Sequence, residues 1–346
     1  VIHVGLNLVF LIPGETGGME TAARETIPRL AAIEDLRLTL LVNREAAGSF
    51  GGVAEEVVVP VRASNRVEWV RGEQQLLPGI AARRGCDLVH SMGSTAPLRG
   101  PFKRVTTIHD LNFRIVPESH FGVRGLGMRV LVPAAARRSH RIVVDAASTR
   151  DDLRRYLRVD PAKVDVVPLG VTIPNSAEPR PERLVLCVGA KRPHKNAVAV
   201  VEALAGTGLR LVISGYRSPY DRVLRERAAA LGVDLELPEY LEDLDELYAR
   251  AGVVVVPSLY EGFGLPVLEA MARGVPVVSS NRSSLPEVAG DAALLVDPED
   301  RRALRAAIEQ ALADPEPLRA KGLARAAEFT WERTAKLTAE AYRRVL

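Results

Sequence analysis

The chain has 346 residues, 47% hydrophobic and 26% charged, which predicts an ordinary globular protein of two domains with a large core. A formal net charge of +3 is too small to argue for nucleic acid, and no apolar run approaches a membrane span. The two cysteines, Cys86 and Cys187, sit beside strand-like runs and read as buried thiols in a reducing cytoplasm; no Cys/His cluster has metal-ligand spacing, and the first residues lack a basic segment before an apolar one, with a trimmed leader left open by the start at Val1.

In chain order, a strand over residues 2–10 leads through a glycine-bearing loop, residues 13–18, into a helix over roughly residues 20–33. Short apolar strands follow at residues 39–42, 57–59, 88–90, 105–108 and 142–144, separated by helical stretches. Alternation of this kind specifies a parallel sheet covered by helices. The pattern ends near residues 166–170 and gives way to residues 171–181, where Pro174, Pro179 and Pro181 mark a linker. A second alternating series has strands at residues 184–188, 209–214, 253–256, 275–279 and 293–296. Residues 331–346 read as a terminal helix with aromatic anchors at Trp331 and Tyr342.

The most informative stretch is residues 253–274, VVVVPSLYEGFGLPVLEAMARG. Four consecutive valines suit a strand buried on both faces of a covered sheet. Pro266 fits the first turn of a helix, and Gly274 fits the position just past its end. The loop Glu261, Gly262, Phe263, Gly264, Leu265 then lies at a strand's carboxyl end against a helix N-terminus, where open α/β sheets bind anions. Glu261 and Glu269 bracket that corner eight positions apart. Taken alone, Glu269 also fits a helix-surface residue paired with Arg273, four positions on.

The segment VGAKRPHKN, residues 188–196, follows the second series' first strand and gathers Lys191, Arg192, His194 and Lys195. Arginine forks onto phosphate oxygens and lysine acts as a mobile point charge, so the cluster reads as an anion site or as a solvated basic turn. In TTIHD, His109 and Asp110 follow a strand; the histidine could bond a ligand or the reaction centre or be a hydrogen-bonded structural residue, and Asp110 could orient it or its loop. Gly17 and Gly18, in GETGGMET, would let backbone amides approach an anion at a helix start, or form an ordinary tight turn. Asp243-Leu244-Asp245 spells a D-x-D string of the kind that ligates metal elsewhere. Here Leu241, Leu244, Leu247, Tyr248 and Ala251 repeat at helical spacing, which places Asp243, Asp245 and Glu246 on a wet flank. Between Arg124 and Arg141, five arginines among apolar residues read as a basic helix face or as a contact for anionic lipid.

The run PSLYEGFGLPVLEAMARGVPVVSSNRSSLPEVAG, followed by DAALLVDPED, resembles the E-x7-E element of retaining glycosyltransferases, glycosyltransferase family 4 in particular. The likeness covers nearly the whole chain, densest over residues 184–298. It implies the GT-B fold: two doubly wound Rossmann-like domains facing across a cleft, residues 1–172 on the acceptor side and 173–328 binding the nucleotide sugar. A terminal helix, residues 329–346, would cross back to the first domain. By the same likeness, Glu269 grips the donor ribose, and Glu261 with the amides of Gly262, Phe263, Gly264 and Leu265 faces sugar and diphosphate. Lys195 matches the family's phosphate-binding lysine, with Arg192 as its partner and Lys191 behind it. Tyr240 and Leu241 would contact the base, His109 the donor sugar, and Gly17-Gly18 would wall the site.

The implied activity is metal-independent, retaining transfer of a hexose from a GDP- or UDP-linked sugar to a hydroxyl of a sugar, glycolipid or metabolite, in the cytoplasm or at the membrane's inner face. No cofactor is implied beyond the donor. Two rivals share the two-lobed shape: a sugar-binding protein, which needs no phosphate clamp, and a sugar-nucleotide epimerase or phosphorylase.

Overall fold

The computed structural model describes residues 1–116, 122–174, 181–238 and 244–346, with side chains in the second stretch from residue 127 onward. The chain divides into two compact units, Val1–Gly170 with Thr330–Leu346, and Val171–Phe329.

The first unit is built on strands β1 (Ile2–Leu8), β2 (Leu36–Val42), β3 (Glu55–Val58), β4 (Leu88–Ser91), β5 (Lys103–Thr107), β6 (Arg141–Val144) and β7 (Val164–Val166). All pair in parallel, in the order β3-β2-β1-β4-β5-β6-β7, with Val4 opposite both Leu38 and Leu88. Strand β1 is buried on both faces because helices cover both. On one face Val4, Leu6 and Leu8 meet Ala23, Ile27 and Leu30 of helix Gly18–Ala31; on the other Val9, Leu41 and Val89 meet Trp69, Leu77 and Ala81. Each fully buried leucine or isoleucine contributes roughly 1.5–3 kcal/mol.

The terminal helix, Trp331–Arg343, belongs to this unit. Its Ala335, Ala339 and Tyr342 complete the β1 core, and the Tyr342 hydroxyl lies 2.7 Å from His90 Nδ1. The Thr330 side chain caps its start by accepting from the Arg333 amide. Gly170 permits the close pass of this segment, since a Cβ there would meet the Trp331 backbone nitrogen at 2.3 Å.

The second unit carries β8 (Leu184–Val188), β9 (Arg210–Ser214), β10 (Leu235–Glu236), β11 (Val253–Val256), β12 (Val277–Ser280) and β13 (Leu294–Val296), all parallel, in the order β10-β9-β8-β11-β12-β13. The four valines of β11 are buried, as an interior strand requires. Strands β7 and β10 were not expected from sequence. The former is three residues long and interrupted by Asp165, a buried charge bound by Arg141 and Arg344; the latter is a two-residue edge strand. Among the described residues no helix is long and apolar enough to cross a membrane.

Candidate functional site

In each sheet the chain winds outward in opposite directions from a pair of adjacent central strands, and ligands of open α/β sheets bind outside the carboxyl ends of such a pair. In the second unit that pair is β8 and β11. Lys195 closes a short 3₁₀ turn, Pro193–Lys195, after β8; Glu261 lies in the loop after β11. Asn196, left-handed at φ 55°, ties its loop to the one after β11 by donating its side-chain amide to the Pro257 carbonyl at 3.2 Å, and to the segment after β13 by donating to the Pro298 carbonyl at 2.8 Å.

Lys195 Nζ stands 2.5 Å from Glu261 Oε1, and the Ser258 hydroxyl donates to the same oxygen at 2.7 Å. Glu261 is buried. Burial pushes its carboxyl up, but the ammonium of Lys195 beside it and the hydrogen bonds it accepts outweigh that, so it lies below the ordinary range. The Glu261 amide donates to Ser283 Oγ at 2.8 Å, and its carbonyl accepts from the hydroxyls of Ser283 and Ser284 at 2.8 and 3.0 Å. Ser284 also donates to the Phe263 carbonyl at 2.7 Å. Ser258, Ser283 and Ser284 therefore set the loop's shape. Sequence reading assigned them no role, although Ser283 and Ser284 stand in the visible SSNRSSLP run at the end of β12.

Gly264, at φ 112°, turns this loop into helix Leu265–Ala272, whose first turn contains Pro266. A Cβ at Gly264 would fall 2.7 Å from Leu285 Cδ2. Phe263 is buried and packs edge-on against Phe329, with ring centroids 6.0 Å apart; Gly262 and Leu265 are half-buried.

Glu269 lies half-buried on that helix, and its Oε2 accepts a hydrogen bond from the Tyr248 hydroxyl at 3.0 Å. Burial raises its carboxyl above the ordinary range. The surface pair with Arg273 does not form. Arg273 instead binds Asp245, Nη2 to Oδ1 at 2.5 Å, donates to the Glu269 backbone carbonyl, and lies over the Tyr248 ring. This corrects the wet-flank expectation for Asp245: it starts helix Asp245–Arg250 half-buried and ion-paired, and Glu246 alone of the two is exposed. Tyr240, Leu241 and Asp243 lie outside the described residues. Among the described residues no group of three or more His, Cys, Asp or Glu side chains could hold a metal ion.

The basic cluster separates into different environments. Lys191 is buried with its ammonium 3.2 Å from Asp221, whereas Arg192 is exposed and has no partner among the described residues. Lys195 keeps 26% of its side chain exposed.

In the first unit the central pair is β1 and β4. Gly17, at φ 61°, and Gly18 are exposed at the start of helix Gly18–Ala31. Glu20 in the first turn accepts from the Gly14 amide at 2.8 Å, so a carboxylate already stands at this helix start. Deeper in, Glu73 accepts from Asn7, at the end of β1, and from Thr95, just past β4, at 3.0 and 2.8 Å, and burial raises its carboxyl.

His109, one residue beyond Ile108 after β5, is held on both ring nitrogens: Nδ1 is 2.6 Å from Asp145 Oδ2, and Nε2 is 2.9 Å from the Met92 carbonyl. Burial works against its charged form, yet Asp145 raises its pKa to about 9. Asp145 follows β6 and was missed in the sequence, where the strand was recognised and the residue ending it was not. Asp110 caps its own loop by accepting from the amide and side chain of Asn112, both at 2.9 Å.

The arginine-rich stretch is divided. Arg129, Arg137 and Arg138 are exposed on helix Gly122–Arg138, and the side chain of Arg124 lies outside the described residues. Arg141 belongs to β6 and grips Asp165 with both arms of its guanidinium at 2.5 and 2.7 Å, so it is no part of a basic helix face.

Two doubly wound units, with a terminal helix that belongs to the first, have the architecture of the GT-B fold. The family description "Glycosyltransferase Family 4" matches residues 16–173, and "Glycosyl transferases group 1" matches residues 172–328. The chain belongs to glycosyltransferase family 4, and it is an enzyme that moves a sugar from a nucleotide-sugar donor to an acceptor. It is 36% identical over 268 residues to the O-antigen chain mannosyltransferase B of Escherichia coli, covering 70% of each chain. It is 34% identical over 223 residues to the MMP alpha-(1->4)-mannosyltransferase of Mycolicibacterium hassiacum, covering 59% of this chain and 54% of that one. Among solved structures, sucrose-phosphate synthase from Thermosynechococcus elongatus shares the fold, with a TM-score of 0.79, 22% identity and 99% of each chain covered.

Proposed function

We propose that the protein catalyses retaining transfer of a hexose, mannose in the first instance, from a GDP- or UDP-linked donor to a hydroxyl of a sugar, glycolipid or metabolite. The observation that carries this reading is the Lys195–Glu261 pair at the carboxyl ends of β8 and β11, against the start of helix Leu265–Ala272. An ammonium has three N–H donors, and Glu261 occupies one. The remainder of the partly exposed Lys195, with exposed Arg192, suits the oxygens of a diphosphate. Lys191 is committed to Asp221, which favours Arg192 as the second cation.

In this reading Glu269 accepts hydrogen bonds from the ribose hydroxyls, Tyr240 and Leu241 contact the base, and Glu261 with the amides of Gly262, Phe263, Gly264 and Leu265 attends the sugar and diphosphate. His109 and the Gly17-Gly18 amides act from the first unit, to which the acceptor is assigned. The bond from the anomeric carbon to the diphosphate oxygen breaks with its electrons passing to that oxygen. The acceptor oxygen bonds to the same face of the carbon and gives its proton to the departing phosphate. Cations at the phosphate lower the barrier by stabilising the developing charge. Mannose is preferred because the two relatives named above are mannosyltransferases. Exposed Arg129, Arg137 and Arg138 beside exposed Val130 support contact with anionic lipid on the cytoplasmic face, where a glycolipid acceptor would be met.

Thermal unfolding in the presence of UDP, GDP and ADP and their sugars tests this. A ligand at a hundredfold its dissociation constant stabilises by about 2.7 kcal/mol, so one base series should raise the midpoint. No shift with any nucleotide, or a shift with free mannose alone, would overturn the reading in favour of a sugar-binding protein.

A further inference from the structure

We infer that Asp145 is a positioning residue that holds His109 as a doubly protonated imidazolium, so that the first unit supplies an ion-paired, protonated ring and no base. The inference rests on the reading above in which His109 serves the donor sugar.

The geometry requires the extra proton. The Met92 carbonyl can only accept, so the Nε2 that lies 2.9 Å from it must carry hydrogen. A neutral ring protonated at Nε2 would turn a lone pair at Nδ1 toward a carboxylate oxygen 2.6 Å away. Two lone pairs do not meet at that distance, so a second proton lies on the contact. Asp145 is 3% exposed, which leaves its charge little water to disperse it and strengthens its hold on the ring.

The charged and titratable groups around the ring agree. Asp145 faces it from the end of β6, and Asp110 lies next to it in its own loop; both favour the cation. His90 on β4 is pushed by burial down to about 3 and stays neutral, bonded to Tyr342 and Thr107. The raised His109 value of about 9 follows from these neighbours against the opposing effect of burial.

The consequence is chemical. A ring with both nitrogens donating has no lone pair, so His109 can neither take the acceptor's proton nor accept a hydrogen bond from a sugar hydroxyl. What it offers is the positive end of a His109–Asp145 pair that is neutral as a whole. The proton of the acceptor is left to the departing phosphate.

Selective ¹⁵N-histidine labelling of the full chain, with His109 assigned through His109→Gln, tests the protonation directly. The expected wild-type result is an imidazolium at pH 7.5 that loses its proton near pH 9. In Asp145→Asn the titration should move below the ordinary 6.5, because burial is then opposed by far less. The alkaline limb of kcat should move with it, so that at pH 7.5 the variant loses about tenfold in kcat while donor KM changes little; Asp145→Glu should restore part of the loss. A neutral His109 in the wild type at pH 7.5, or an unchanged titration in Asp145→Asn, overturns the inference, and the wild-type titration needs no variant to fold. Expected titrations with identical rate profiles in both proteins overturn the positioning role; if His109→Gln is then also fully active, the assignment of His109 to the donor sugar falls with it.

Discussion

Lys195→Ala removes one member of the ion pair on which the proposed donor site rests. Lys195 Nζ lies 2.5 Å from a buried carboxylate, which would keep the Ser258 hydroxyl as a hydrogen-bond donor but lose its adjacent ammonium. Breaking a buried pair from one side costs roughly 3–5 kcal/mol. Because 26% of the Lys195 side chain is exposed, water screens the pair and the lower end, about 3 kcal/mol, is expected. At about 2–4 °C per kcal/mol for a unit of this size, the midpoint should fall by roughly 6–12 °C.

The loss must depend on pH. In the wild type the Glu261 carboxyl is held below 4.5, so its contribution to stability is present above that value and fades as pH falls through its lowered one. Without Lys195, burial should push the carboxyl above 4.5. The deficit of the variant should therefore grow from pH 4.5 toward pH 7.5. Both tryptophans, Trp69 and Trp331, lie in the first unit, so far-UV circular dichroism is the suitable probe rather than fluorescence. The double variant Lys195→Ala/Glu261→Gln should recover more than half of the lost stability at pH 7.5. A double variant no more stable than the single one, or a deficit equal at both pH values, would refute the argument from an orphaned carboxylate. Turnover should fall separately by about 10²–10³, the effect of losing a donor to developing phosphate charge.

Two further outcomes follow from the same geometry. Gly264→Ala should cost about 1–3 kcal/mol of stability, measured by thermal unfolding, and should raise donor KM, since φ is 112° and the new Cβ would press on Leu285; an unchanged midpoint and KM would mean the loop does not depend on this backbone conformation. Activity should survive EDTA, because Asp245 of the D-x-D string is engaged by Arg273; abolition by chelator with rescue by manganese would contradict this.

The alternation of apolar runs and helical stretches made the two parallel sheets readable, since strands buried on both faces carry an unbroken apolar signal. Strand β7 escaped notice because Asp165 interrupts it, and the arginines that compensate that charge lie elsewhere in the sequence, at Arg141 and Arg344. At the candidate site the sequence could order the loops after the strands but not the contacts among their side chains. Lys195 and Glu261 are 66 positions apart, and His109 and Asp145 are 36 apart. Such pairings arise only when adjacent strands bring their carboxyl ends together. Arg273 illustrates the same limit in reverse: local helix spacing offered it Glu269 as a partner, and its ion pair is with Asp245.

The central claim is that the second unit reads a nucleotide through Glu269, and calorimetric titration of Glu269→Gln tests it most directly. Tyr248 occupies Oε2, and among the described residues nothing bonds Oε1, which leaves an acceptor for vicinal ribose hydroxyls. Hydrogen bonds to a charged acceptor contribute roughly 1.5–3 kcal/mol, so the variant should bind its nucleotide about 10- to 100-fold more weakly. Its fold should not suffer at pH 7.5, because a carboxyl raised by burial opposes folding above its ordinary range and the amide removes that opposition. For a 2′,3′-dideoxy nucleotide, wild type and variant should bind alike. Equal losses for the two ligands, or no loss for either, would contradict the account.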